Sequence, residues 1–161
     1  MTKTAFLNII EQNQNLIYKI CRMYRDTKED QEDLFQDIVY QLVKAFPEYR
    51  QEAKISTWMY RIALNTALAT FRKKKVSLEY ENEIPEKFHP HTSEGKSEKE
   101  ELMYWALKQL SLTDRAIISL YLEDYNYDEI ADVIGITNNY VGVKINRIKE
   151  KLKTLIARNH D

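Results

Sequence analysis

The chain has few of the residues that build turn-rich or disulfide-bonded proteins. It contains three Gly, three Pro and one Cys among 161 residues. So little Gly and Pro argues against a β-sandwich or β-barrel, because those folds place these residues at many turns. Cys21 has no second cysteine to pair with, which excludes an internal disulfide and a cysteine-rich zinc module. What remains is a composition typical of a helical protein.

Other absences limit the function. No apolar run approaches the roughly 18 residues of a membrane span, so we expect no direct membrane insertion. The N-terminus turns polar within ten residues and does not resemble a secretory signal, which predicts a cytoplasmic protein. Three His, one Cys and no Gly-rich phosphate loop leave nothing that resembles an active site. We therefore expect no enzyme, no metal and no cofactor.

Charge is abundant but segregated along the chain. Residues 26–37 hold six acids and one base, and residues 44–75 hold eight bases and two acids. Residues 76–101 are acidic again, and residues 140–158 are basic. Two basic blocks separated by acidic ones indicate two sites for a polyanion, although a set of solvated helix faces would show the same pattern.

The spacing of apolar residues predicts three helices before residue 75. One amphipathic helix carries the stripe from Phe6 to Tyr24, and a second runs from about Glu29 to Phe46, where Pro47 ends it. Ser56 or Thr57 is expected to cap the third, which ends in the basic run 72–75.

Residues 76–97 contain two of the three prolines and no apolar periodicity, as expected of a flexible acidic linker. Beyond it, Ser97 with Glu100 has the form of a capping box, and Thr113 is expected to cap a further helix. The predicted fold is all-α. It has two small helical domains, 1–75 and 98–161, joined by the linker 76–97.

The segment after residue 128 has the pattern of a helix-turn-helix. Ala131 is small where two helices would cross, Gly135 can take the positive φ of the turn, and Ile136 and Val141 would fill the crevice. Thr137 is expected to cap the last helix, which is basic on its outward face. This geometry suits a major groove, although an ordinary αα-hairpin in a bundle would show part of the same pattern.

Two long segments resemble a known family. Residues 33–75 (DLFQDIVYQLVKAFPEYRQEAKISTWMYRIALNTALATFRKKK) resemble region 2 of sigma-70-type factors of bacterial RNA polymerase, in the compact extracytoplasmic-function group. Residues 112–152 (LTDRAIISLYLEDYNYDEIADVIGITNNYVGVKINRIKEKL) resemble region 4 of the same group. Gln51 stands where family members often have Gly. Gly142 and Val143 stand where family members often have Arg or Ser. Because this chain lacks those hydrogen-bonding side chains, the minus-35 sequence that the family recognises cannot be assigned to it.

The resemblance implies three sets of site residues. An acidic helix face is expected to dock on core polymerase, with Asp33, Gln36, Asp37 and Tyr40. A loop and the helix after it are expected to open and bind the minus-10 promoter element, with Tyr49, Arg50, Lys54, Tyr60, Arg61, Asn65, Arg72 and Lys73. The last helix is expected to bind the minus-35 element, with Asn138, Asn139, Gly142, Val143, Asn146, Arg147, Lys149 and Lys153. Trp58, in the minus-10 segment, is expected to belong to the core.

The function implied is that of a sigma factor, which lends promoter recognition and strand opening to core RNA polymerase. Its expected partners are core polymerase and promoter DNA, and an anti-sigma factor is left open as a third. The alternative is a stand-alone helix-turn-helix regulator that binds duplex DNA as a dimer. The first 75 residues discriminate between these two functions. A stand-alone regulator would need a ligand pocket or a receiver domain there, whereas this chain has an acidic helix followed by a basic loop and helix.

Overall fold

The computed structural model describes residues 2–51, 54–70 and 97–160, and these form two compact units. All regular structure in the described residues is helical, as predicted. The first unit holds α1 (Lys3–Gln12), α2 (Gln14–Tyr24), α3 (Lys28–Ala45), a 3₁₀ turn (Phe46–Glu48) and α4 (Ile55–Thr70). The second holds α5 (Glu98–Lys108), α6 (Leu112–Leu122), α7 (Tyr127–Ile134) and α8 (Asn138–His160). The predicted linker lies outside the described residues except for Ser97. No described helix could cross a membrane.

The first apolar stripe forms two helices, so the prediction of a single helix was wrong. The chain leaves helical geometry at Asn13, with φ −110° and ψ 17°. The Asn13 side chain donates to the Ile9 carbonyl at 2.8 Å and so provides a hydrogen-bond donor for a carbonyl in the last turn of α1. Phe6 and Ile10 of α1 and Ile17 and Ile20 of α2 are nevertheless buried, as their spacing predicted.

Helices α3 and α4 form the centre of the first unit, and both contact α2. Thr27 caps α3 by accepting from the Asp30 amide at 3.1 Å. Helix α4 begins at Ile55, so Ser56 and Thr57 lie in its first turn and neither caps it from outside. The apolar faces of the two helices meet in a core that contains Leu34, Phe35, Ile38, Val39, Leu42, Met59, Tyr60 and Ala63.

In the second unit, α8 is the long helix against which α5, α6 and α7 all pack. Ser97 caps α5 by accepting from the Glu100 amide at 3.1 Å, as predicted. The residue that caps α6 is Ser111, which accepts from the Asp114 amide at 3.2 Å. Thr113 therefore lies inside α6, contrary to the prediction, because the helix begins two residues earlier than expected.

The turn between α7 and α8 has the predicted geometry. Gly135 takes φ +87°, and its amide donates to the Ala131 carbonyl at 2.8 Å to end α7. Thr137 then accepts from the Tyr140 amide at 3.2 Å and begins α8. One face of α8 is buried along its whole packed length, through Val141, Ile145, Ile148 and Leu152.

Candidate nucleic-acid interface

The outward face of α8 is polar at its centre. Asn139, Asn146 and Arg147 are exposed there, opposite the buried stripe. Val143, between them, is 45% exposed. Helical spacing places Val143 and Arg147 one turn apart on the same side of α8. The N-terminal half of this helix therefore offers amide, guanidinium and apolar groups to solvent together.

The start of α8 is tied to α7. The Asn138 amide donates to the Asp128 carboxylate, and Asn126 and Glu129 form a capping box at the beginning of α7. Asn138 therefore helps to position the two helices of the motif, while Asn139 faces solvent.

Gly142 lies on the flank of α8 that faces α7, and it is half-buried. A Cβ at this position would stand 3.3 Å from Cε2 of Tyr127. The glycine thus allows the Tyr127 ring to approach the helix backbone closely. Gly142 contributes to the packing of the motif as well as to its surface.

The lysines of α8 differ in their surroundings. Lys149 donates to the Tyr121 hydroxyl at 2.7 Å, and this hydrogen bond raises the pKa of Lys149. Lys144 forms an ion pair of 3.1 Å with Asp114. Lys153 lies 3.6 Å from Glu150, and both side chains are about three-quarters exposed, at 76% and 77%. Such an exposed pair contributes little to stability, so Lys153 is readily available to an external anion.

The acidic face of α3 is only partly exposed. Asp33 is exposed, whereas Gln36, Asp37 and Tyr40 are half-buried. Burial lowers the pKa of Arg25, and the nearby negative charge of Asp37 offsets part of that shift. Burial also raises the pKa of the Cys21 thiol, with a smaller contribution from Asp37. Asp37 therefore acts inside the unit as well as at its surface.

An aromatic cluster holds the segment between α3 and α4. The rings of Phe6 and Phe46 stack at 4.3 Å, and the Phe6 ring meets Trp58 edge-on at 5.8 Å. The Tyr49 ring packs against Trp58 at 5.0 Å. Trp58 is half-buried in this cluster, so its expected role in packing agrees with its contacts.

Basic side chains flank the loop that follows Tyr49. Arg50 precedes residues 51–53 and Lys54 follows them, and both side chains are exposed. Gln51, which follows Arg50, has φ +61°, a left-handed conformation that glycine adopts without strain. The position at which family members often have Gly thus has, in this chain, a backbone conformation that favours glycine.

Helix α4 divides its predicted site residues between surface and core. Asn65 is exposed and borders a groove of about 380 Å³ between α3 and α4, together with Gln41, Ala45, Ile62, Thr66 and Ala69. Arg61 is half-buried. Tyr60 is 2% exposed, so the structure places it in the core and away from the expected minus-10 surface. Arg72 and Lys73 lie outside the described residues.

Comparison with known proteins identifies both regions. The model of the Sigma-70 region 2 family matches residues 9–76, and that of the Sigma-70, region 4 family matches residues 101–152. The chain belongs to the sigma-70 family. The two matches occur in the order expected of a sigma factor, and together they cover most of the chain.

Individual relatives place this sigma factor in the extracytoplasmic-function group. The chain is 24% identical to RNA polymerase sigma factor SigV of Bacillus subtilis over 160 residues, covering 98% of this chain and 94% of SigV. It is 22% identical to ECF RNA polymerase sigma factor SigM of Mycobacterium tuberculosis, covering 95% of this chain and 78% of SigM.

Solved structures share the fold. The sigma factor RpoE from Bartonella quintana, crystallised with the anti-sigma factor NepR, matches with a TM-score of 0.75 at 16% identity, covering 95% of this chain and 97% of RpoE. CnrH, solved in complex with the cytosolic domain of CnrY, matches with a TM-score of 0.68 at 18% identity, covering 98% of this chain and 90% of CnrH.

The family decides between the two functions considered from the sequence. A sigma factor binds core RNA polymerase and promoter DNA and directs initiation at promoters, while the polymerase carries out the chemistry. This chain is therefore not an enzyme. A stand-alone regulator is not favoured, because region 2 occupies residues 9–76.

One feature of the surface was missed from the sequence. Tyr140, in the first turn of α8, is 44% exposed. Its position three residues before Val143 was the available signal, because that spacing places both side chains on one side of a helix.

Proposed function

We propose that α8 reads the minus-35 element through Asn139, Asn146 and Arg147, with Val143 as an apolar contact. The observation that carries this proposal is the division of α8 into a buried apolar stripe and an exposed polar face. The N-terminal residues of such a helix contact base edges in the major groove, where Arg pairs with guanine and Asn with adenine. Asn138 and Gly142, in this proposal, help the backbone of α8 to approach the DNA.

Lysines further along α8 supply phosphate contacts in this proposal. Lys153 is well exposed and lies about four turns beyond the first residue of the helix. The Lys149 ammonium is held by its hydrogen bond to the Tyr121 hydroxyl. Contacts of this kind set position and affinity without distinguishing sequences.

Core polymerase docks, in this proposal, on the face of α3 that carries Asp33, Gln36, Asp37 and Tyr40. Asp33 is the exposed member of the set. An acidic face is complementary to a basic helical surface on the polymerase, and such complementarity contributes chiefly to association rate and specificity. Because Asp33 is exposed and Asp37 is half-buried, a substitution at Asp33 changes the docking surface more directly.

The minus-10 element is bound, we propose, by the loop after Tyr49 and the exposed side of α4. Arg50 and Lys54 would contact the backbone of the opened strand, and Asn65 a base or sugar. Tyr49 shares its ring contact with Trp58, so it anchors the loop. Arg61, Arg72 and Lys73 complete the proposed surface, and buried Tyr60 supports it from the core.

The proposed domain bounds remain 1–75, 76–97 and 98–161. We place the protein in the cytoplasm, because core polymerase and promoter DNA are there. We also propose an anti-sigma factor as a third partner, by analogy with RpoE, which was crystallised with NepR.

The test compares DNA binding by the free chain with binding by the chain plus bacterial core polymerase. We expect weak, sequence-independent binding by the free chain and stable promoter complexes only when core is present. Tight binding to a palindromic operator without polymerase would contradict the proposal and favour a dimeric regulator.

A further inference from the structure

Tyr140 is held in the first turn of α8 with much of its ring in solvent. The side chain is 44% exposed, while its backbone amide donates to Thr137 Oγ1 at 3.2 Å. The Lys144 ammonium lies 5.8 Å from the ring centroid, within the range of a cation–π contact. Lys144 is itself fixed by its 3.1 Å ion pair with Asp114. The ring therefore stands beside an anchored cation.

Val143 extends the exposed apolar surface by one turn. It is 45% exposed, and its position three residues after Tyr140 places the two side chains on one side of α8. Exposed Asn139, Asn146 and Arg147 surround the pair. We call Tyr140 and Val143 together the apolar pair.

The surroundings of the apolar pair favour DNA over a protein partner. An apolar protein surface would leave the neighbouring Arg147 and the two Asn side chains to be buried without assured partners. A major groove offers phosphates and base edges to these polar groups. The apolar group that base edges present there is the 5-methyl of thymine.

We propose that Tyr140 is a specificity-determining residue of the minus-35 reader, and that the apolar pair accepts thymine methyl groups. This inference rests on the proposed function, because α8 must enter the major groove for it to hold. It adds a residue to the recognition set and names the base feature that this residue reads. The preferred minus-35 element of this sigma factor therefore contains at least one thymine whose methyl group matters.

The test removes thymine methyl groups one at a time. Thymines on either strand of the preferred minus-35 element are replaced singly by deoxyuridine, and initiation is measured with the full chain and core polymerase. Loss of one buried methyl should lower initiation at limiting protein by about fourfold at the contacted position. Deoxyuridine in the spacer between the two promoter elements serves as the DNA control and should have no effect.

Protein variants assign the methyl contact. Tyr140→Ala should initiate equally from the thymine and deoxyuridine promoters at the contacted position, whereas Tyr140→Phe should keep the difference because it keeps the ring. Val143→Ala should reduce the difference at the same or an adjacent base pair. Helix content, measured by circular dichroism, should be unchanged in all three because both side chains are exposed.

Each contrary result has a distinct meaning. If the wild type ignores methyl removal but still depends on the minus-35 sequence, the inference fails and the proposed function stands. If initiation does not depend on the minus-35 sequence at all, both fail. Unchanged methyl sensitivity in Tyr140→Ala would also overturn the inference, and a simultaneous change in oligomeric state would reassign the ring to a contact between copies of the chain.

Discussion

Arg147→Ala and Lys153→Ala should affect promoter use in different ways. Arg147 is exposed on the outward face of α8, one turn beyond Val143, where a guanidinium can reach base edges. Lys153 lies further along the helix, where its ammonium is 3.6 Å from the Glu150 carboxylate. Both residues are exposed, so neither substitution should change the fold.

The expected magnitudes follow from these positions. Loss of a base contact from Arg147 should cost about 1–3 kcal/mol on the preferred minus-35 element and flatten the preference at one or two base pairs. Loss of a phosphate contact from Lys153 should weaken all promoters by a similar factor and lower the salt dependence by about one counterion. The Lys153–Glu150 pair adds little to stability because both side chains are so exposed.

The assay is initiation by core polymerase from a library of randomised minus-35 elements, repeated at several salt concentrations. Arg147→Lys is a matched control, because it keeps the charge and removes the bidentate geometry. It should retain affinity better than Arg147→Ala and still lose the base preference. The placement of α8 is refuted if Arg147→Ala keeps the preferred sequence while Lys153→Ala alters it.

Further predictions concern docking and stability. Asp33→Lys should weaken binding to core polymerase in a pull-down, because it reverses the charge of the exposed member of the acidic α3 face. Asp37→Lys should weaken core binding and also lower stability, because Asp37 is half-buried and its charge acts on Arg25. Equal core binding by Asp33→Lys and the wild type would remove Asp33 from the interface. Gly135→Ala should destabilise the protein by about 1–2 kcal/mol in chemical denaturation, since φ is +87° there. Asp124→Gly should stabilise the protein by about 0.5–1 kcal/mol, because Asp124 has φ +67°, a conformation that glycine adopts without strain. Asp124 also lies just after the C-terminus of α6, where a negative charge interacts unfavourably with the helix dipole. An unchanged midpoint of chemical denaturation would contradict this prediction.

Periodicity was sufficient to predict most of the helical segments and much of the core. The stripe Val141, Ile145, Ile148 and Leu152 is buried as its spacing required. Gly135 takes the positive φ that its place in the helix-turn-helix pattern indicated. These features depend on neighbours within a few residues, which a sequence displays directly.

Features that depend on competing or distant partners could not be predicted in this way. The stripe from Phe6 to Tyr24 continues across Asn13, so spacing alone gave no sign of the break. Ser111 and Thr113 are both good capping residues, and only the packed start of α6 decides between them. The Lys149–Tyr121 hydrogen bond joins residues 28 apart, and so lies beyond any local pattern.

The location of tyrosines shows the same limit. Tyr60 and Tyr140 are both tyrosines on helices with basic neighbours, yet one is 2% exposed and the other 44%. Tyr60 lies on the buried side of α4, while Tyr140 lies in the first turn of α8, one residue before its buried stripe begins at Val141. The sequence therefore predicted a surface position for Tyr60, which is buried, and did not single out Tyr140, which is exposed.

Mapping of transcript 5′ ends tests the central claim most directly. Purified chain and bacterial core polymerase are incubated with a genomic DNA library, and the ends of the transcripts are sequenced. We predict a defined set of start sites that share a minus-10 and a minus-35 element at fixed spacing and that disappear when the chain is omitted. An identical distribution of start sites with and without the chain would contradict the account.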